Sequence, residues 1–92
     1  MTNKILIIED EPDIRSTVEY NLIKDGFNVV GVGSLSDARA AISMSSFSMI
    51  LLDLMLPDGS GLDLCREMKS NPDLSNIPII ILTAKDDEVD KV

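Results

Sequence analysis

Four short apolar runs punctuate the chain: Ile5-Leu6-Ile7-Ile8, Val29-Val30 with Val32, Met49-Ile50-Leu51-Leu52, and Ile79-Ile80-Ile81-Leu82. The first, third and fourth are continuous rather than alternating. A strand with one wet face alternates apolar and polar residues, whereas a strand covered on both faces does not. Short continuous runs bounded by polar residues therefore predict strands of a parallel sheet sandwiched between helices.

Helical spacing fills the intervals between the runs. Pro12 suits the first turn of a helix, with Asp10 and Glu11 near its positive end. Ile14, Val18 and Leu22 then recur every four residues and form one face, and Gly26 suits a left-handed stop. Ser34 or Ser36 can cap a second helix that buries Ala38, Ala41 and Ile42. A third helix follows Gly61, with Leu62, Cys65 and Met68 on one side, and Asn71-Pro72 ends it. Pro78 is tolerable at the start of a strand, and Asp86 to Val92 read as the beginning of another helix. The order β-α-β-α-β-α-β predicts right-handed crossovers and an α/β fold with a doubly wound parallel sheet, spanning 1–92 as one domain without repeat or linker.

Sheets of this kind bind ligands beyond the carboxyl ends of their strands. Strand one ends in Glu9-Asp10-Glu11, strand three in Asp53, and strand four in Thr83-Ala84. If strands one and three are neighbours, Glu9, Asp10 and Asp53 converge at one rim. Two such charges ~4 Å apart repel by roughly 4 kcal/mol at an effective dielectric near 20. A proton or a cation must settle that repulsion. A hard dication with oxygen ligands fits, and Mg²⁺ favours one or two carboxylates, waters and a phosphate oxygen. Asp53 could then act as a covalent nucleophile, with Thr83 bonding a phosphoryl oxygen. Helix capping by Asp10 or Glu11 is the plainer alternative, and spacing alone leaves both open. Asp53 is harder to explain away, because it lies between two apolar stretches where a lone carboxylate is costly. Thr83 by itself says little.

Composition mainly excludes. Sixteen acidic residues against eight basic ones, with no histidine, give a formal charge of −8. That argues against a phosphate-neutralising nucleic-acid surface and suits a cation or a basic partner. Cys65 is the single cysteine, so an internal disulfide and a cysteine-rich zinc site are excluded, which fits a reducing compartment. No segment approaches the ~18 apolar residues of a membrane span. A soluble cytoplasmic protein with an aliphatic core is the expectation.

Three motifs sharpen this picture. Lys4-Ile5-Leu6-Ile7-Ile8-Glu9-Asp10-Glu11-Pro12 resembles the opening of a response-regulator receiver domain of two-component signal transduction. Ile50 to Gly61, reading ILLDLMLPDGSG, resembles its phosphorylation segment, and Ile77 to Ala84 its fourth strand and switch position. The Met-Leu-Pro-x-Gly-x-Gly form is similar to receivers of the winged-helix transcription-factor (OmpR/PhoB-like) subfamily. The resemblance implies a flavodoxin-like (CheY-like) fold with sheet order 2-1-3-4-5. It implies that Asp53 accepts a phosphoryl group from a histidine kinase. Glu9 and Asp10 would hold Mg²⁺ with Asp53 and the Met55 carbonyl, and Thr83 would be the switch hydroxyl, with Ala84 leaving room beside it.

Such a receiver continues through a fourth helix, a fifth strand bearing a lysine that contacts the phosphate, and a fifth helix. The chain ends at Val92, within the expected fourth helix, and Lys85 is badly placed to replace that lysine. The expectation is an incomplete receiver whose fourth strand is a bare apolar edge, open to self-association. The competing reading is a non-phosphorylating binding or assembly module on the same scaffold. A haloacid-dehalogenase-type phosphatase is disfavoured, because Met55 stands where those enzymes carry a second aspartate.

Overall fold

The computed structural model describes residues 3–83. The predicted strands form as β1 (Lys4–Ile8), β2 (Asn28–Val32) and β3 (Met49–Asp53). The helices α1 (Pro12–Lys24) and α2 (Leu35–Met44) connect them. A short hairpin, β4 (Met55–Leu56) and β5 (Gly59–Ser60), then leads directly into α3 (Gly61–Lys69), and β6 (Ile79–Thr83) follows. The main sheet has the order β2-β1-β3-β6, and every pairing in it is parallel. The order expected for the first four strands is thus observed. The hairpin β4-β5 has only two residues per strand, too few for an apolar pattern to announce it.

Strand register explains the continuous runs. Ile5 pairs with Met49 and Ile7 with Leu51, and their side chains share one face with Val18 and Leu22 of α1. Leu6 and Ile8 pair with Ile50 and Leu52 and point to the other face, where Leu35, Ala38, Leu64 and Met68 of α2 and α3 cover them. Both faces of β1 and β3 are therefore dry, which is why neither strand alternates. The core is aliphatic apart from Phe47.

The helix ends follow local chemistry. Pro12 occupies the first turn of α1, and Gly26, at φ +96°, sits just past its end. Ser34 caps α2, its Oγ accepting from the Asp37 N–H at 3.1 Å. Two predicted helix faces need correction. On α1, Val18 and Leu22 pack inward, but Ile14 is exposed at the helix start, beyond the edge of the apolar cluster. On α3 the buried stripe is Gly61, Leu64 and Met68, while Leu62 is 46% exposed and Cys65 only half-buried. The spacing of three and then four residues selects that stripe. Its direction is fixed at Gly61, where an added Cβ would lie 2.7 Å from the Asp53 carbonyl oxygen. The helix expected from Asp86 to Val92 lies outside the described residues. No described helix is long and apolar enough to cross a membrane.

Candidate metal centre

Glu9 and Asp10 directly follow β1. The Glu9 N–H donates to the Val32 carbonyl at 3.0 Å, which extends the β1–β2 ladder one residue beyond the strand. Arg15, in the first turns of α1, donates from Nη1 to the Glu9 carbonyl at 2.7 Å. The Glu9 side chain turns inward and is fully buried, and its Oε2 accepts from the Glu11 N–H at 3.0 Å. This corrects the capping expected of Glu11: at the N-cap position it makes no side-chain cap, and its own amide is taken by Glu9.

Asp53 is the last residue of β3 and is also fully buried. A register irregularity between Leu52 and Asp53 sets Asp53 opposite Thr83 of β6. Its Oδ1 accepts from the Met55 N–H at 3.1 Å, which orients the carboxylate from the first residue of the hairpin. The backbone then turns at once, and the Gly61 N–H donates to the Leu54 carbonyl at 2.8 Å. The start of α3 is in this way pressed against the end of β3.

Glu9, Asp10 and Asp53 come together as the sequence predicts, each with a carboxylate oxygen within 4.8 Å of the others. At that separation each pair of charges repels by about 3–4 kcal/mol at an effective dielectric near 20. An all-oxygen donor set with two buried carboxylates suits a hard dication and offers nothing to a soft metal. The cluster can therefore hold a metal ion. The Thr83 hydroxyl, Ala84 and Lys85 lie outside what is described, although the Thr83 backbone pairs with Asp53. Burial pushes the Cys65 thiol pKa up, which disfavours the reactive thiolate there.

Three contributors to the site escaped the sequence reading. Arg15 carried a faint signal, because a cation in the first turns of a helix opposes the macrodipole and so calls for another partner. Gly61 marks the start of the third helix in the sequence, but nothing there shows how closely it approaches Asp53. Asp58 sits in a Pro-Asp-Gly turn, where aspartate is ordinary. Yet its Oδ1 accepts from the Leu35 N–H at 2.8 Å and its Oδ2 from the Ser36 N–H at 3.0 Å. Those two amide bonds hold its carboxyl below the usual range.

Comparison with known proteins shows the family. A family model described as response regulator receiver domain matches residues 5–92. The transcriptional regulatory protein GltR of Pseudomonas aeruginosa is 42% identical over 88 residues, covering 96% of this chain and 36% of GltR. The sensory transduction protein RegX3 of Mycolicibacterium smegmatis is 40% identical over 88 residues, covering 96% of this chain and 37% of RegX3. The chain thus spans little more than a third of the length of these relatives. The structure of the MaeR response regulator bound to beryllium trifluoride superposes with a TM-score of 0.81 at 28% identity, covering 97% of this chain and 77% of MaeR.

Proposed function

This chain belongs to the response regulator receiver domain family of two-component signalling, and on that premise we propose that Asp53 accepts a phosphoryl group from a histidine kinase. The observation that carries the proposal is the position of Asp53. It closes β3, is fully buried, and has the Glu9 and Asp10 carboxylates within 4.8 Å. A buried carboxylate in acidic company is expensive for stability alone, and a functional demand explains its presence.

Glu9, Asp10 and Asp53, with the Met55 carbonyl, would hold Mg²⁺, and the donor chemistry fits that ion. When bound, it supplies positive charge that offsets repulsion between the carboxylate and the incoming phosphoryl oxygens. An Asp53 carboxylate oxygen attacks phosphorus and forms the O–P bond of an acyl phosphate. The N–P bond of the phosphohistidine breaks, its electron pair returns to the imidazole nitrogen, and that nitrogen takes up a proton. The Met55 N–H at Oδ1 holds the carboxylate in one orientation during the attack. Thr83 is the residue we assign to the phosphoryl oxygen afterwards, as the switch hydroxyl; its backbone already pairs with Asp53. The protein assists its own phosphorylation and turns over no substrate of its own. Beryllium trifluoride, the ligand named for MaeR, has the charge and shape of a phosphoryl group and should take the same place here. The likeness to a transcriptional regulatory protein extends the proposal to a cytoplasmic regulator of transcription, with output lying in sequence that this receiver controls.

The test is incubation of the chain with Mg²⁺ and a small phosphodonor, read by intact mass. A gain of one phosphoryl group is expected in the wild type and none in Asp53→Asn. Equal labelling of the two proteins, or no labelling of the wild type at any Mg²⁺ concentration, overturns the assignment.

A further inference from the structure

The turn that follows the metal centre is tied to a different element of the fold. Residues Pro57 and Asp58 form the tip of the β4-β5 hairpin, and the Asp58 carboxylate spans the Leu35 and Ser36 amides at the start of α2. Gly59 belongs to the same close approach. Its φ is +145°, and a Cβ there would lie 2.9 Å from Leu35 Cδ1. Leu35 is itself a core residue, 2% exposed. One end of the hairpin is therefore anchored to Asp53, through the Met55 N–H, and the tip is anchored to the core through α2.

α2 does not need this carboxylate for a conventional cap. Ser34 already supplies one through its Oγ to the Asp37 N–H. A second acceptor arriving from a loop more than twenty residues away does more for the loop than for the helix. A hairpin with two residues per strand has little hold of its own. Two charge-assisted bonds to fixed amides remove most of its freedom.

We propose that Asp58 is a positioning residue for the metal centre: by clamping the hairpin tip to the first turn of α2, it fixes the backbone of Met55 against Asp53. The clamp contributes no ligand and touches no reacting atom. It keeps the Met55 peptide where its N–H meets Asp53 and where its carbonyl can join the cation shell. The second part rests on the phosphoacceptor reading above; the first does not.

The experiment compares Asp58→Ala with Ser34→Ala in the full chain, because each removes a cap from the same helix but only one releases the hairpin. Amide hydrogen exchange at Met55 and Gly61, without metal, is the first readout. Faster exchange at both is expected in Asp58→Ala and not in Ser34→Ala. The second readout is the Mg²⁺ concentration needed for half-maximal phosphoryl uptake. Asp58→Ala should raise it several-fold while the rate at saturating Mg²⁺ is largely kept, and Ser34→Ala should leave it unchanged. Asp58→Asn, which keeps the size and one acceptor oxygen, should fall between wild type and alanine, and it serves if alanine does not fold. Parallel effects of the alanine variants on both readouts would mean that Asp58 merely stabilises α2, and would overturn the proposal. So would unchanged exchange at Met55 in Asp58→Ala. If wild type takes up no phosphoryl group, the functional reading fails alone, and the exchange arm still decides the clamp.

Discussion

Single residues set the geometry of the rim, and Gly61 has the tightest constraint among them. A Cβ there would press on the Asp53 carbonyl oxygen at 2.7 Å and on the Leu52 side chain at 3.1 Å. Overpacking of this sort costs about 1–3 kcal/mol. Gly61→Ala should lower the urea midpoint accordingly and, on the proposed phosphoacceptor role of Asp53, slow phosphoryl uptake, because the strain lands on that residue. An unchanged midpoint would show that α3 can slide away from β3. Asp58 and Glu67 give a pH signature. Both have folded pKa values held below the ordinary 3.8 and 4.5, Asp58 by the Leu35 and Ser36 amides and Glu67 by its bond to Arg39. Their stabilisation is complete above those ordinary values and is lost as pH falls through the lowered ones. Thermal melts below about pH 4.5 should fall less steeply in Asp58→Asn than in wild type. Identical slopes would argue that the clamp is not formed in solution. The acidic trio was legible in the sequence because Glu9 and Asp10 follow one buried run and Asp53 another. Asp58 and Arg15 were not, since their partners, the start of α2 and the Glu9 carbonyl, are chosen by the path of the chain in space.

At the scale of elements, four strands and three helices were legible because apolar runs and turn residues alternate so regularly. The orientation of α3 was not. Leu62, Cys65 and Met68 make as good a stripe on paper as Gly61, Leu64 and Met68, and a glycine is easily discounted as an inward-facing residue. Truncation separates the two faces. Leu64→Ala, at a site 2% exposed, should cost about 2–5 kcal/mol. Leu62→Ala, at a site 46% exposed, should stay within about 0.5 kcal/mol of wild type. Chemical denaturation of the two variants side by side checks this, and comparable losses would restore the face read from the sequence. The same helix is tied to α2 at the surface, where the Arg39 guanidinium donates to both Glu67 oxygens at 2.9 and 2.6 Å. With both side chains about half exposed, the pair should show a coupling that fades in high salt.

For the molecule as a whole, coverage of the sheet is uneven among the described residues. Two helices lie over the face of Leu6 and Ile8, and one lies over the face of Ile5 and Ile7. β6 ends the sheet, and Ile80 and Ile81, which point to opposite faces, are 47% and 43% exposed. An apolar strand whose outer edge is unpaired is a template for another chain. The 92-residue chain should therefore sediment as a mixture whose larger species grow with concentration, and Ile80→Lys should suppress them. Concentration-independent monomer in the wild type would show that the edge is already protected. The strand order was legible only through the resemblance, since apolar runs announce strands but not their neighbours.

The central place of β1 also has a consequence in time. β1 meets β2 through a short crossover, but its bond to β3, beginning at Ile5 and Met49, closes a far longer loop. Loop closure costs entropy that is recovered only after the contacts form, so such pairings come slowly. Glu9 and Asp10 ride on one partner of that slow step and Asp53 on the other. A chain that has docked its first helix but not yet paired these two strands would lack the acidic cluster. Pairing of the two central strands assembles that cluster, and on the proposed role of Asp53 it also assembles the capacity to accept a phosphoryl group.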